Sequence, residues 1–437
     1  MELRTSEIAR ATGGRLVGAD VVVAGAAIDS RLVTGGELFV PVVAERDGHD
    51  YVAAAVASGA AAYLRSRPVA GPRGDAPAIE VADTVAALGA LGAHARGRLP
   101  DRVVGVTGSV GKTSVKDLLA AALAARWCTA AGAGSFNNEL GVPLTILGAA
   151  DRTEALVVEM GARGVGHVAA LCAIARPSVG IVTAVAAAHT EMFGSLDEVA
   201  VAKGELVEAL PASGVAVLNR DDARVAAMAS RTAARVVTYG TEGGADVRAE
   251  AVTLDGELRS RFRLASPWGS ADVVLAVRGR HMVGNALAAA AGALVCEVPL
   301  EGVAAALGRA EVSRWRMELV RLPSGARVLN DAYNANPASV AAALRSLAAL
   351  DARRRVAVLG VMAELGPTSA ADHAAVGDLA RELGLEVVAV AAPAYGGTAV
   401  DDVAGAVAAL GPLAEGDAVL LKGSRVAGLE RLLDLLG

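Results

Sequence analysis

Aromatic residues are scarce: Phe, Trp and Tyr make up only 3% of the 437 residues. A surface that stacks unpaired bases needs such rings, so the composition argues against a nucleic-acid partner. Positive charge is not in excess either. With 41 Lys and Arg against 47 Asp and Glu, the formal net charge is −6, which offers no general attraction to nucleic acid or anionic lipid. Cysteine is limited to Cys128, Cys172 and Cys296, far apart and in apolar surroundings. That odd number at that spacing frames no disulfide scaffold and no zinc site, and it reads as buried thiols in a reducing compartment. Long hydrophobic runs are also missing. Arg176-Pro177 divides one apolar window and Asn285 enters another, so no segment is long enough to span a bilayer. The opening MELRTSEIAR lacks the apolar core of a signal peptide. These absences point to a cytoplasmic protein with no membrane insertion.

What the chain has in quantity is small residues. Hydrophobic residues account for 54%, much of it alanine, and there are 50 glycines, a composition that lets helices pack closely on sheets. The length exceeds one ordinary core and calls for several domains. Residues 1–97 alternate short β-type runs with Ala-rich helical runs, and RGRLPDR (96–102) is a polar joint. Beyond it the pattern becomes strand then helix. RVVGVTG leads into KTSVKDLLAAALAAR, whose Leu118, Leu119, Ala122 and Leu123 share one helical face; ALVVEMG (155–161), VGIVTAV (179–185), GVAVLN (214–219) and RVVTYG (235–240) follow. The texture changes near 309–325, and a further set begins with RVLND (327–331), RRVAVLG (354–360), LEVVAV (385–390) and DAVLLKG (417–423). Asn336-Pro337 should cap and start a helix over 338–350. The fold class is α/β with mostly parallel sheets in three domains, over 1–98, 99–311 and 312–437.

One stretch stands out in GVTGSVGKTSVKD (105–117). Gly111-Lys112-Thr113 has the close of a phosphate-binding loop, although Val106 stands where the strict pattern has its first glycine. The context decides: a buried strand enters Gly108, and a helix starts directly after Gly111. Backbone N–H groups and the helix N-terminus would then face a phosphate, with Lys112 adding a full charge and Thr113 a hydroxyl for Mg²⁺. Ligands gather at the carboxyl edge of parallel sheets, where Thr107, Glu159 and His189 each follow a strand. Alone, Glu159 is an ordinary strand-end acid and His189 an ordinary loop histidine. Together beside a triphosphate loop they suit metal-assisted phosphoryl transfer. Lys203, in a helical run, reads by itself as a surface lysine.

These residues resemble the Mur ligase family, the ATP-dependent amide-forming enzymes of peptidoglycan precursor synthesis. TGSVGKT (107–113) matches the family's own loop, Thr-Gly-[Ser/Thr]-x-Gly-Lys-[Ser/Thr], and the likeness runs through NNELGVP (137–143), EMGARG (159–164), AKGE (202–205), GRHMVGNALAAAA (279–291), NDAYNANP (330–337) and KGSR (422–425). NDAYNANP in particular is similar to the signature of the member that adds D-alanyl-D-alanine to UDP-N-acetylmuramoyl-tripeptide. DSRLVTGGELFVPVVAERDGHDYV (29–52) resembles the segment that grips the uridine-diphosphate end of that substrate.

The resemblance implies a UDP-sugar-binding N-terminal domain, a central P-loop ATPase-like domain and a C-terminal Rossmann-like ligase domain acting as a monomer. Thr107, Gly108, Ser109, Val110, Gly111, Lys112 and Thr113 would cradle the ATP phosphates. Asn285, Arg316, Asp331 and Tyr333 would contact the nucleotide. Thr113 and Glu159 would hold one Mg²⁺, with His189 and Lys203 serving a second, Lys203 as a carbamate; Lys112, Glu159, His189 and Lys203 form the catalytic set. Asp29, Ser30 and Arg31 would take the uridine diphosphate, Asn137 and Asn138 the muramoyl peptide, and Asn334 and Lys422 the incoming dipeptide. The sequence departs from the family at Met192, at Arg163-Gly164 and at AERDGHD (44–50). Three other readings stay open: a sibling ligase adding a single amino acid, a folylpolyglutamate synthetase-like enzyme whose folate features are not apparent, and a regulatory P-loop ATPase.

Overall fold

The computed structural model describes residues 1–69, 76–186 and 193–436. Four sheets organise it. At the N-terminus β1 (Glu2–Arg4) pairs antiparallel with β3 (Val22–Ala24). Beside it runs a five-stranded sheet in the order β2 (Arg15–Val17), β7 (Ala78–Glu80), β6 (Ala62–Arg65), β5 (Leu38–Phe39), β4 (Ala26–Ala27). Phe39, Val52 and Tyr63 make a small core on one side of it. The helix Thr84–Arg96 closes this region, with the Asp83 carboxylate capping the N–H groups of Val85 and Ala86. The buried Arg96 guanidinium then donates to the carbonyls of Ala175 at 2.7 Å and Leu99 at 3.1 Å, tying the polar joint to the next sheet.

That sheet has nine strands: β8 (Val103–Thr107), β9 (Thr129–Ala131), β10 (Ala155–Glu159), β11 (Val179–Val182), β12 (Val215–Asn219), β13 (Arg235–Gly240), β14 (Val247–Leu254), β15 (Arg259–Ser266) and β16 (Gly269–Arg278). Their spatial order is β16-β15-β14-β13-β12-β11-β8-β10-β9. From β8 to β14 every pairing is parallel, and β8, β10 and β11 are buried end to end, as strands covered on both faces must be. Register matters most here. Glu159 sits beside Val106 and Val182 beside Thr107, so three strands end together at one carboxyl edge. The series of strands read from sequence stops at 240; the structure continues it with β14–β16 as an antiparallel meander. The signal for it was local: Arg259–Ser266 alternates exposed and buried side chains, the pattern of a sheet with one solvated face.

The last sheet follows the order β17 (Glu318–Arg321), β18 (Arg327–Asn330), β22 (Asp417–Lys422), β19 (Arg354–Gly360), β20 (Glu386–Val390), β21 (Thr398–Val400), parallel except for β17 with β18. The helix Pro337–Ala349 begins as its sequence requires. Pro337 takes the first position, Asn336 Oδ1 accepts from the Ser339 N–H at 2.9 Å, and Ser339 Oγ accepts from the Asn336 N–H at 3.1 Å.

The small residues have a use in the helix Met282–Val295, which packs against the phosphate-loop helix Lys112–Leu123. Its Ala286, Ala289, Ala290 and Ala293 are fully buried. At Gly292 a Cβ would come within 2.7 Å of Ile181 Cδ1 and 3.1 Å of Leu119 Cδ1. The close approach that brings Asn285 to the loop therefore depends on a missing side chain. Gly292→Val is expected to lower stability by about 1–3 kcal/mol through overpacking, read as a lower urea midpoint with an unchanged slope.

Candidate active site

The loop between β8 and the helix Lys112–Leu123 can be built only with glycine at two points. Gly108 has φ +143°, and a Cβ there would lie 1.9 Å from Thr183 Oγ1; Gly111 has φ +83°, and a Cβ there would meet Asn285 Oδ1 at 2.5 Å. The segment after β11 braces the loop from behind. Ser109 N–H donates to Ala184 O at 2.8 Å, Ala186 N–H donates to Ser109 Oγ at 3.0 Å, and Thr183 Oγ1 donates to Val110 O at 2.5 Å. Thr183 was not among the residues expected from sequence, although its place just beyond a strand end was the available signal. Thr107 turns away from the loop, its hydroxyl donating to Met160 O at 2.7 Å and locking β8 to the turn after β10.

Lys112 starts the helix, and its ammonium folds over the loop onto Gly108 O at 2.7 Å. Burial holds its pKa below the usual lysine value; Glu159 opposes that shift and Arg316 adds to it. Glu159, 1% exposed, accepts from Asn137 Nδ2 at 2.8 Å through Oε1. Its Oε2 is buried and has no hydrogen-bond partner among the described residues. A buried carboxylate oxygen without a donor is costly unless something positive reaches it. With the Thr113 hydroxyl at the loop beside it, these two oxygen donors would suit a hard divalent cation. Among the described residues no group of three or more His, Cys, Asp and Glu side chains forms a ready-made metal cage.

Lys203, on the helix Leu196–Glu208, is 2% exposed rather than at the surface. Burial pushes its amine down to about 7, helped by the Lys112 charge and resisted by Glu205 and Glu159. Two residues further along the same helix, Glu205 accepts from the Ala169 N–H at 2.9 Å and caps the helix His167–Ala175. His189, expected at the metal, lies outside the described residues, as does Met192.

The opposite wall comes from the C-terminal sheet. The Arg316 guanidinium lies 4.3 Å from the centre of the Tyr333 ring, and the Tyr333 hydroxyl meets Ser135 Oγ of the central region. Asp331 is fully engaged: Oδ1 accepts from the Met317 N–H at 3.1 Å and Oδ2 pairs with Lys422 Nζ at 2.5 Å. Lys422 also donates to Asn334 O at 2.9 Å, so its ammonium is held by the NDAYNANP turn itself. Asn138 Oδ1 accepts from the Gly141 N–H at 2.9 Å and so caps the helix Gly141–Leu147.

Between the walls lies a cleft of about 1040 Å³. Ser109, Val110, Gly111, Lys112 and Thr113 form its floor; Asn137, Asn138, Glu159, Lys203 and Asn285 line it from the central region. Arg316, Asp331, Tyr333, Asn334 and Lys422 face them. Arg425, whose guanidinium stacks 4.1 Å from the centre of the Trp315 ring, and His281, held below its usual pKa by burial, line it too and were missed. Asp29, Ser30 and Arg31 do not line this cleft. They form a separate turn in the N-terminal region, where Arg31 donates to Asp29 at 2.6 Å and holds that carboxylate at a pKa of about 2.

The chain matches the Mur ligase middle domain over residues 106–293 and the Mur ligase glutamate ligase domain over 315–425. UDP-N-acetylmuramoyl-tripeptide–D-alanyl-D-alanine ligase of Mycobacterium tuberculosis (strain ATCC 25618 / H37Rv) is 42% identical over 500 residues, covering 100% of this chain and 98% of that protein. The enzyme of the same description from Escherichia coli K12 is 39% identical over 388 residues, covering 88% and 84%. Among solved structures, MurF of Acinetobacter baumannii superposes with a TM-score of 0.89 at 30% identity over 100% of this chain and 99% of that one. The MurF ligase of Thermotoga maritima in complex with ADP gives 0.83 at 27% identity over 95% and 97%. With two family domains matched in order and relatives this similar along the whole length, the chain belongs to the Mur ligase family.

Proposed function

We propose that this protein is an ATP-dependent ligase that joins D-alanyl-D-alanine to UDP-N-acetylmuramoyl-tripeptide, the cytoplasmic step that completes the pentapeptide precursor of peptidoglycan. One observation carries the reading: the phosphate loop and the NDAYNANP turn line a single cleft, and Tyr333 of that turn meets Ser135 of the central region. The sibling reading, addition of one amino acid, has no such turn in its favour. In this proposal residues 1–98 hold the uridine diphosphate through Asp29, Ser30 and Arg31, residues 99–311 hold ATP, and residues 312–437 present the dipeptide. One chain supplies all three parts, so a monomer suffices.

The chemistry has two displacements. A terminal carboxylate oxygen of the tripeptide bonds to the γ-phosphorus, and the bridging bond to ADP breaks with its electron pair. The dipeptide amine then attacks the activated carbonyl carbon, the carbon–oxygen bond to phosphate breaks, and the amine gives up a proton. A free carboxylate cannot be displaced this way because its leaving group would be oxide. Two anions must first be brought together. The Lys112 ammonium and the loop N–H groups offset their repulsion, and in a water-poor cleft each such donor is worth about 3–4 kcal/mol of barrier. Thr113 and Glu159 would hold a Mg²⁺ ion, which when bound draws charge from the phosphate oxygens. Arg316, stacked on Tyr333, orients the nucleotide from the other wall.

Lys203 is suited to modification. An amine with a pKa of about 7 is substantially neutral at physiological pH, and neutral nitrogen can attack CO₂ to form a carbamate with loss of a proton. The product would be an anion able to serve a second cation, where an ammonium would repel one; the family resemblance gives His189 the same role.

Phosphate release should require UDP-N-acetylmuramoyl-tripeptide and D-alanyl-D-alanine together, with single D-alanine inactive as acceptor; ATP turnover without the tripeptide would overturn the ligase reading. Lys112→Ala should lower kcat at least a hundredfold, by roughly 3 kcal/mol or more, while the circular dichroism spectrum stays that of the wild type. Activity should also fall as pH drops through about 7, because the Lys203 amine then takes up a proton and no longer reacts with CO₂. Removing dissolved CO₂ at pH 8 should reproduce that loss and added bicarbonate should reverse it.

A further inference from the structure

The helix that opens on the phosphate loop carries two polar residues that none of these steps uses. Lys116 lies one turn beyond Lys112 and is only 2% exposed, on a helix whose other buried residues include Val115, Leu118, Leu119 and Ala122. A buried ammonium needs an acceptor for each of its three donors. Lys116 donates to Gly132 O at 2.7 Å and Gly134 O at 2.6 Å, and Asp117 Oδ1 pairs with its charge at 2.9 Å. The other Asp117 oxygen accepts from both the N–H and the hydroxyl of Ser313, each at 2.8 Å.

Each partner leads to one wall of the cleft. Gly132 and Gly134 open the turn that carries Ser135, in contact with Tyr333, and Asn137, which holds Glu159 Oε1. Ser313 stands three residues before Arg316. The stretch 313–317 is conformationally demanding, since Trp315 and Met317 take positive φ values of 61° and 54°. Side chains rarely adopt this left-handed region, so the surroundings must hold it. Asp117 anchors one end of the stretch and Asp331 the other, through the Met317 N–H.

We propose that Lys116 and Asp117 are positioning residues: an ion-paired strut on the phosphate-loop helix that sets Asn137 with Glu159, and Arg316 with Tyr333, on either side of the nucleotide. A methionine of similar length would fill the Lys116 space without the desolvation cost of a charge. What it could not do is fix two carbonyls and a carboxylate at one point. The strut thus makes the helix that receives the phosphates the common reference for both walls. Its kinetic consequence rests on the ligase reading; its structural coupling to nucleotide does not.

The test uses the full chain with Lys116→Met, Asp117→Asn and Lys116→Arg. ADP with Mg²⁺ should slow amide hydrogen exchange over 132–137 and 313–317 in the wild type. Lys116→Met should abolish the first protection and Asp117→Asn the second. Nucleotide affinity should stay near wild type while kcat falls about a hundredfold in Lys116→Met, the scale of a misplaced reacting group, and Lys116→Arg should recover most of it. Unchanged ADP protection in both variants, or a kcat loss matched by an equal loss of nucleotide affinity, would overturn the strut. If Lys116→Met does not fold, Asp117→Asn carries the same exchange measurement. A wild-type enzyme that fails to ligate would sink the ligase reading, and the ADP arm would still judge the strut.

Discussion

Two anions must meet at this site, and their repulsion is the constraint around which the molecule is arranged. At 4 Å a pair of unit charges interacts by about 1 kcal/mol in water and about 4 kcal/mol at an effective dielectric constant of 20. Excluding water strengthens the attractions the site provides and the repulsions it must overcome. The answer lies in cations supplied from separate segments: Lys112 from the loop and Arg316 from the far wall. Burying amines here has its own cost, visible in the lowered pKa values of Lys112 and Lys203, to which neighbouring positive charge adds. The Lys203 amine is displaced in the direction that makes it neutral.

Holding these groups at fixed distances is a packing problem. The central parallel sheet solves half of it, because β8, β10 and β11 end at one edge in strict register. Side-chain size solves the rest. Gly108, Gly111 and Gly292 each stand where a single added carbon would strike Thr183, Asn285 or Ile181. The abundance of glycine and alanine is therefore tied to function: it lets the loop, the helix Met282–Val295 and the sheet lie close enough to share one nucleotide. Large aromatic side chains would have no room there.

The C-terminal wall depends on polar bonds instead. Lys422, at the end of β22, bonds to Asp331 and Asn334 of the 330–337 turn, which presents Tyr333 to Ser135. A residue such as Lys422 shows how a group in a substrate cleft can serve the cleft's shape. Its ammonium already has acceptors of its own, so it holds the 330–337 turn that lines the cleft.

Local order along the chain was legible without coordinates. Gly111-Lys112-Thr113 between a buried strand and a helix announced the phosphate loop, and Asn336-Pro337 announced a capped helix, because both signals are written in adjacent residues. The β14–β16 meander was equally local in its alternation, yet it was overlooked beside the stronger strand–helix rhythm. Other facts had no local trace. Lys203 and Lys116 look like surface lysines in sequence, since a lysine on a helix is solvated unless neighbours from distant segments cover it. The Thr107 hydroxyl bonds to Met160 O, a residue 53 positions away. Periodicity and backbone chemistry act between residues a few positions apart, so they can be read along the chain. Burial, pKa and the pairing of Lys116 with Gly132 or Tyr333 with Ser135 depend on which segments the fold brings together, and only the folded molecule supplies that.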